Sequence, residues 1–185
     1  MSLYKNKYRN ESARAQWWDY GRAAAYFVTV CTRDRIHYLG EIQNGKMILS
    51  PTGAIADVLW YEIKNHAHDV ELDAFVVMPN HIHGILVLKN DSPSAGPVVG
   101  AGHALPLRQS QPGVNRFQNP GKNTLSSIIG SYKSAVTRHV RRLGYTFDWQ
   151  SRFHDHIIRD DASYQRIAQY IENNPRNWKD DSFNS

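Results

Sequence analysis

Cysteine and long apolar segments are the features that this sequence lacks. Its single cysteine, Cys31, excludes an intramolecular disulfide and a cysteine-rich zinc site. No run approaches the roughly 20 consecutive apolar residues that a membrane helix needs. The first ten residues, MSLYKNKYRN, hold no apolar stretch typical of a secretory signal. We therefore expect a protein of the reducing cytoplasm with no membrane partner.

Positive charge, in contrast, is present in excess. The 185 residues include 22 lysines and arginines against 17 aspartates and glutamates, which gives a formal net charge of +5 and a pI near 9.3. This balance favours a polyanionic partner such as nucleic acid. With 41% hydrophobic residues, the chain is long enough for one domain with a buried core.

Two histidines, His81 and His83, are separated by one isoleucine within a run that predicts a buried strand. Strand side chains alternate between faces, so both imidazoles should point to one side and Ile82 into the core. A pair of neutral imidazoles is a common beginning of a divalent metal site. The spacing alone fits equally well with two half-buried histidines that make ordinary hydrogen bonds.

Hydrophobic periodicity and turn signals predict an α+β fold. Asn44-Gly45 is typical of a type I′ hairpin turn, and Ser50-Pro51 of a helix start. The order of elements predicts a single domain with a ferredoxin-like antiparallel sheet and helices packed on one face. The predicted elements are a strand over 26–32, a hairpin over 40–49, a helix from Ser50 to about His66, strands over 72–78 and 81–88, a helix from Thr124, a strand over 154–159, and a helix over 161–173 with Asp161 as its N-cap and Pro175 after it.

Apolar positions predict the buried side of these elements. Strict alternation would put Leu72, Ala74, Val76 and Met78 on one face of their strand. Helical spacing predicts buried stripes at Ile55, Leu59 and Ile63, at Leu125, Ile128, Ile129, Tyr132, Val136 and Val140, and at Tyr164, Ile167, Ala168 and Ile171.

Basic and aromatic residues form two candidate DNA contacts. Lys133, Arg138 and Arg141 lie off the apolar stripe of the second helix, although Arg141 could equally complement the helix dipole. Residues 1–22 form a basic arm. Its Trp17, Trp18 and Arg22 suit contacts with nucleic acid, although the same segment could instead wrap around the core. We divide the remainder into a domain over 23–178, with a long loop over 90–123, and a tail over 179–185.

Tyr170 lies at the edge of the apolar stripe of the last predicted helix, and Asn174 follows one turn later over the same face. An Asn174 oxygen beside the histidine pair would be a hard third ligand, suited to Mg²⁺ or Mn²⁺. Taken without the other motifs, Tyr170 is more simply an amphipathic core tyrosine.

Several ordered motifs run through most of the chain. They are WDY at 18–20 before YFVTVCT at 26–32, VMPNHIHGI at 77–85, GSYKSAVT at 130–137, WQ and RF at 149–153, HIIR at 156–159 and QYIENNP at 169–175. In this order the chain resembles the HUH-type single-strand tyrosine transposases, and within them the REP-associated tyrosine transposases.

The resemblance implies a role for each motif residue. His81 and His83 would bind the metal, Mg²⁺ or Mn²⁺, and Asn174 would complete the site. Tyr170 would attack a DNA phosphodiester and leave a 5′-phosphotyrosine and a free 3′-hydroxyl. The implied substrate is single-stranded DNA beside a hairpin such as a REP sequence, in DNA transposition or REP mobilisation.

Three alternatives remain open. The chain could be a non-enzymatic single-strand nucleic-acid-binding protein on a ferredoxin-like sheet. It could be a zinc hydrolase that adds His66 or His68 to the pair, although the sequence offers no obvious carboxylate beside them. It could also be a host protein that cuts DNA without moving itself. We expect a monomer whose tyrosine serves its own metal site, with a dimer as the other arrangement.

Overall fold

The computed structural model describes residues 24–89, 123–181 and 183–184, and the backbone of two short strands near the N-terminus. The strands are β1 (Leu3–Tyr4), β2 (Lys7–Tyr8), β3 (Ala24–Cys31), β4 (Gly40–Gln43), β5 (Lys46–Leu49), β6 (Val70–Met78), β7 (His81–Leu88) and β8 (His154–Ile158). The helices are α1 (Pro51–Tyr61), α2 (Ile63–His66), α3 (Leu125–Arg142) and α4 (Asp161–Asn173). Trp17, Trp18 and Arg22 of the predicted arm, and residues 90–122 of the predicted loop, lie outside the described residues.

A four-stranded antiparallel sheet has the strand order β6-β7-β3-β8. With α1 after β3 and α3 after β7, the chain follows the βαββαβ course of a ferredoxin-like fold, so the predicted α+β class is confirmed. The predicted hairpin is confirmed as β4 and β5, with Asn44 and Gly45 both at positive φ as a type I′ turn requires. None of the described helices combines the length and apolar character of a membrane span.

Helices cover both faces of the sheet. The larger core cluster contains Trp60 from α1 and Val136 from α3, and it lies against Tyr26 and Ile82 on one face. A smaller cluster on the opposite face joins Ile171 of α4 to the sheet residues Ile85 and Ile158. The prediction that helices pack on one face therefore holds for α1 and α3 and is wrong for α4. The physical reason is that the strands carry apolar side chains on both faces of the sheet, so the second face must also be covered by a helix.

A bulge in β6 changes the predicted faces of that strand. Its pairing with β7 shifts between Leu72 and Phe75, so one extra residue enters the strand. Leu72 therefore packs with the larger cluster, whereas Ala74 and Val76 pack with the smaller one. The prediction that Leu72, Ala74 and Val76 share a face is wrong, because it assumed uninterrupted alternation.

Side-chain caps start the three long helices. Ser50 and Thr124 accept hydrogen bonds from the main-chain N–H groups of Gly53 and Ser127, which confirms both predicted helix starts. The cap of α4 is Asp160, which accepts from Ser163 N–H at 2.7 Å. The predicted cap, Asp161, is instead the first helical residue. The predicted α3 stripe is confirmed, since all six of its residues are buried.

Gly84 of β7 lets the ring of Trp60 lie directly on the sheet. A Cβ on Gly84 would lie 2.3 Å from Trp60 Cζ2. The fully buried indole ring also stacks on Phe75, with the ring centroids 4.4 Å apart. Gly84 thus sets the close packing of α1 behind the strand that begins with the two histidines.

We predict opposite effects for two glycine-to-alanine substitutions. Gly84→Ala should lower the free energy of unfolding by about 1–3 kcal/mol, because the new methyl group overlaps Trp60. Gly130→Ala should raise it by about 0.5–1 kcal/mol, because Gly130 is exposed inside α3 with open space around its Cα. Urea denaturation measures both values, and a Gly84→Ala protein as stable as the wild type would contradict the packing.

Candidate metal and tyrosine site

The two histidines begin β7, directly after the Pro79-Asn80 turn that joins β6 to β7. His81 is 0% and His83 1% exposed, and their ring centroids are 4.4 Å apart. Ile82 between them belongs to the larger core cluster on the other face. The predicted arrangement of this motif, imidazoles to one side and isoleucine to the core, is confirmed.

Each imidazole is held through its Nδ1 atom. His83 Nδ1 lies 2.9 Å from the Thr29 hydroxyl of β3, and His81 Nδ1 lies 2.9 Å from Oδ1 of Asn80. The Nε2 atom of His81 is buried and has no hydrogen-bond partner among the described residues. Buried nitrogen atoms normally find a partner, so this unpartnered atom requires an explanation.

Helix α4 brings Tyr170 and Asn174 to the same place. The Tyr170 hydroxyl lies 3.4 Å from Nε2 of His83, and the ring meets Phe27 edge-on at a centroid distance of 6.2 Å. Asn174 follows the last helical residue, is 1% exposed, and its buried Oδ1 also lacks a partner in the described part of the chain. The structure thus brings together all four residues that the sequence analysis selected for catalysis and metal binding.

Asp181 is a site residue that the sequence analysis missed. One ligand atom from each of His81, His83 and Asp181 can be chosen so that all three lie within 4.8 Å of one another. Oδ2 of Asp181 accepts from Asn174 Nδ2 at 3.0 Å and lies 3.5 Å from the Tyr170 hydroxyl. A carboxylate therefore does lie beside the pair, although the sequence offers no obvious one. His66 and His68 are exposed and are not part of this group.

The segment after Pro175 carries Asp181 back over the histidines. A short 3-10 turn, Trp178–Asp180, precedes Asp181, and the rings of Trp178 and Phe183 lie 6.0 and 4.6 Å from that of His81. The sequence predicts a separate tail over residues 179–185, and these boundaries stay a prediction. The two aromatic residues that flank Asp181 were the signal that this segment packs against the domain.

Burial controls the protonation of the site. Burial, aided by the positive charge of Arg35, lowers the pKa of His81 to about 3. Burial and His81 lower the pKa of His83 well below its usual value, although Asp181 opposes this change. Burial and the Asp181 carboxylate raise the pKa of Tyr170. Two neutral imidazoles and a protonated phenol therefore face one another at pH 7.

The donor set fits a divalent cation. Two imidazole nitrogens, one carboxylate and one amide oxygen are all metal-ligand types. Four buried side-chain polar atoms lack a partner within the described residues. His81 Nε2 and Asn174 Oδ1 belong to this donor set, and the other two are the indole nitrogens of Trp60 and Trp149. The described residues thus form a group that could hold a metal, and its identity as Mg²⁺ or Mn²⁺ stays a prediction.

The predicted DNA contacts of α3 share one open groove, which Lys133, Arg138 and Arg141 line together with Trp149 and Gln150. Lys133 Nζ donates to the Gln150 carbonyl at 2.6 Å, and Arg141 Nη2 lies 2.5 Å from Asp148 Oδ1. These two side chains therefore already hold the loop that follows α3. Arg141 stays exposed in spite of this contact, and Arg138 is exposed as well.

Comparison with known proteins finds a relative by sequence and several similar solved structures. No protein-family model matches the chain. An uncharacterized protein of Haemophilus influenzae is 33% identical over 178 residues, which span 94% of this chain and 92% of the relative. The solved structure of a REP-associated tyrosine transposase bound to a REP hairpin is similar with a TM-score of 0.53 and 23% identity, over 95% of this chain and 73% of that one. At this identity the likeness establishes the fold.

We predict that acid destabilises the metal-free protein through the buried histidines. Their pKa values are lowered on folding, so the unfolded chain takes up protons that the folded chain does not. The contribution of the neutral histidines to the free energy of unfolding is complete above pH 6.5, which is the pKa of histidine in the unfolded chain. It is lost as the pH falls toward 3. Each histidine should remove about 1.4 kcal/mol per pH unit in that range.

Urea denaturation between pH 7 and pH 5 measures this slope. His81→Gln should flatten it, whereas His139→Gln, a matched change on the exposed side of α3, should leave it unchanged. Equal slopes for the wild type and His81→Gln would contradict the buried neutral state of His81.

Proposed function

The chain belongs to the same family as the Haemophilus influenzae protein and shares the fold of a REP-associated tyrosine transposase, and from these premises we propose that it cleaves and rejoins single-stranded DNA through a tyrosine–DNA intermediate. The observation that carries this proposal is the position of the Tyr170 hydroxyl, 3.4 Å from Nε2 of His83. This position puts a phenol oxygen beside two side chains that can bind a metal, as a nucleophile that attacks a metal-bound phosphate requires.

Tyr170 supplies the nucleophile. Its phenol oxygen attacks phosphorus, a Tyr–O–P bond forms, and the bond from phosphorus to the 3′-oxygen breaks. The 5′ end is then held as phosphotyrosine, and the departing 3′-oxygen takes a proton. One phosphodiester replaces another, so a 3′-hydroxyl can reverse the step and rejoin strands without ATP.

The proton of Tyr170 needs an acceptor, because a phenol is already protonated at pH 7 and because burial and the Asp181 carboxylate raise its pKa further. Oδ2 of Asp181 lies 3.5 Å from the hydroxyl and is a carboxylate in position to receive it. Tyr170 is 42% exposed, so the site is open to solvent on the side of this residue.

The metal would be held by Nε2 of His81 and His83 with Oδ1 of Asn174, and with Asp181 in the same group. A bound divalent cation would polarise a non-bridging phosphate oxygen and offset its negative charge. Thr29 and Asn80 hold the imidazoles from behind, and Phe27 holds the ring of Tyr170, so the chain itself orients both ligands and nucleophile.

A DNA hairpin is the substrate that we propose, since the structural neighbour is bound to one. The net charge of +5 and the groove lined by Lys133, Arg138 and Arg141 suit a phosphate backbone, and Trp17, Trp18 and Arg22 would add contacts from the arm. The Tyr170 oxygen approaches the histidines of its own chain, which favours a monomer acting in cis. Transposition or REP mobilisation would be the cellular process, in the cytoplasm.

A metal-dependent hydrolase is the second candidate, because two histidines and a carboxylate also suit hydrolytic metals. It would release both DNA ends and form no covalent adduct. A non-enzymatic single-strand binder would neither cut nor form an adduct. The adduct therefore separates the three functions.

We predict that Tyr170→Phe abolishes the covalent adduct and keeps hairpin binding. The change removes the nucleophilic oxygen, and the ring can still pack on Phe27. Labelled hairpin oligonucleotide is incubated with protein and Mn²⁺, and the adduct is sought on a denaturing gel. Tyr164→Phe, two turns earlier in α4, is the matched control, because its hydroxyl contacts Asp73 instead of the histidines. Undiminished adduct in Tyr170→Phe would place the nucleophile elsewhere.

We predict that cleavage stops with EDTA and resumes with Mn²⁺ or Mg²⁺. His81→Ala and His83→Ala should each lower the rate of cleavage by about 100-fold or more. Loss of an outer hydrogen bond to a metal ligand already lowers activity by about 10–100-fold, and loss of the ligand itself should lower it further. His139→Ala on α3 should retain full activity. Cleavage at the full rate in EDTA would show that no metal takes part.

A further inference from the structure

The carboxamide of Asn80 makes two hydrogen bonds at the turn before His81. Its Oδ1 lies 2.9 Å from His81 Nδ1, and its Nδ2 donates to the carbonyl oxygen of Phe183 at 2.8 Å. Asn80 is 1% exposed, so bulk water does not compete for either contact. The main-chain carbonyl oxygen of Asn80 accepts a hydrogen bond from Thr32 N–H at 2.9 Å, which holds the turn in place.

The carbonyl of Phe183 decides which way the carboxamide faces. A carbonyl oxygen only accepts hydrogen bonds, so the NH₂ group of Asn80 must point to it and Oδ1 must point to His81. Because Oδ1 also only accepts, Nδ1 of His81 must carry a hydrogen. In a neutral imidazole the other nitrogen, Nε2, is then a bare lone pair.

We propose that Asn80 is a positioning residue that holds His81 in the Nδ1–H tautomer and so keeps the Nε2 lone pair available to a divalent cation. The proposal rests on the proposed metal role of the histidine pair. It explains why His81 Nε2 is buried without a hydrogen-bond partner among the described residues, because a hydrogen on that atom would itself need an acceptor.

His83 has a weaker constraint of the same kind. The Thr29 hydroxyl lies 2.9 Å from His83 Nδ1, and a hydroxyl can either donate or accept. Thr29 therefore permits both tautomers, whereas Asn80 permits one. The two ligands of the pair should differ in how strictly their tautomer is set, and this difference can be measured.

The first experiment records long-range ¹H–¹⁵N correlation spectra of the histidine side chains in metal-free protein at pH 8. Wild-type His81 should be in the Nδ1–H tautomer. Asn80→Ala should move His81 into a mixture or into the Nε2–H form. Nε2–H in the wild type, or an unchanged His81 spectrum in Asn80→Ala, would overturn the proposal.

The second experiment measures Mn²⁺ affinity by calorimetry without DNA. Asn80→Ala should raise the dissociation constant about 10–100-fold, as loss of an outer hydrogen bond to a metal-binding histidine does. Asn80→Asp keeps an acceptor for Nδ1–H but loses the donor to Phe183, and its affinity should stay within about 10-fold of the wild type. Asn65→Ala, a matched change on an exposed side chain of α2, should alter neither readout.

Circular dichroism first establishes that each variant is folded. If Asn80→Ala does not fold, the wild-type tautomer and the Asn80→Asp affinity decide the question, and a hundredfold loss in Asn80→Asp would overturn the proposal. If the wild type has the Nδ1–H tautomer yet binds no Mn²⁺, the proposed metal site fails while the tautomer assignment stands. DNA cleavage enters neither readout, so the proposed function is tested separately.

Discussion

The burial of two neutral imidazoles side by side is the constraint on which this structure depends. A buried polar atom without a partner is costly, and within the described residues His81 Nε2 and Asn174 Oδ1 are both in that state. A shared cation would satisfy both atoms at once. The surrounding residues are arranged accordingly, since Thr29 and Asn80 occupy the opposite nitrogens, and α4 lies over the open side with Tyr170.

One face of the sheet carries the larger hydrophobic core, and the other face carries the candidate site. On one face, α1 and α3 enclose the larger core around Trp60, and Ile82 is part of it. On the other face, α4 rests on a smaller cluster and places Tyr170 and Asn174 beside the histidines. Because neighbouring residues of β7 point in opposite directions, the same strand that anchors the core presents the imidazoles to the site.

The sequence predicted the parts of this site that follow from local periodicity. The spacing of His81 and His83 determined their shared face, and the four-residue interval from Tyr170 to Asn174 brought both over the same face of the sheet. Asp181 was missed, because its position depends on how the chain turns back after Pro175, which no periodic pattern records. The bulge in β6 and the second covered face were missed for a related reason, since both arise from tertiary packing.

We propose that Tyr170 and the histidine pair act as one DNA-cleaving site. The most direct measurement is peptide mapping by mass spectrometry of the protein after reaction with a hairpin oligonucleotide and Mn²⁺. We expect one modified peptide, with the 5′-phosphate of the downstream DNA fragment on the oxygen of Tyr170. DNA attached to another residue, or cleaved DNA with no modified peptide at any time point, would contradict it.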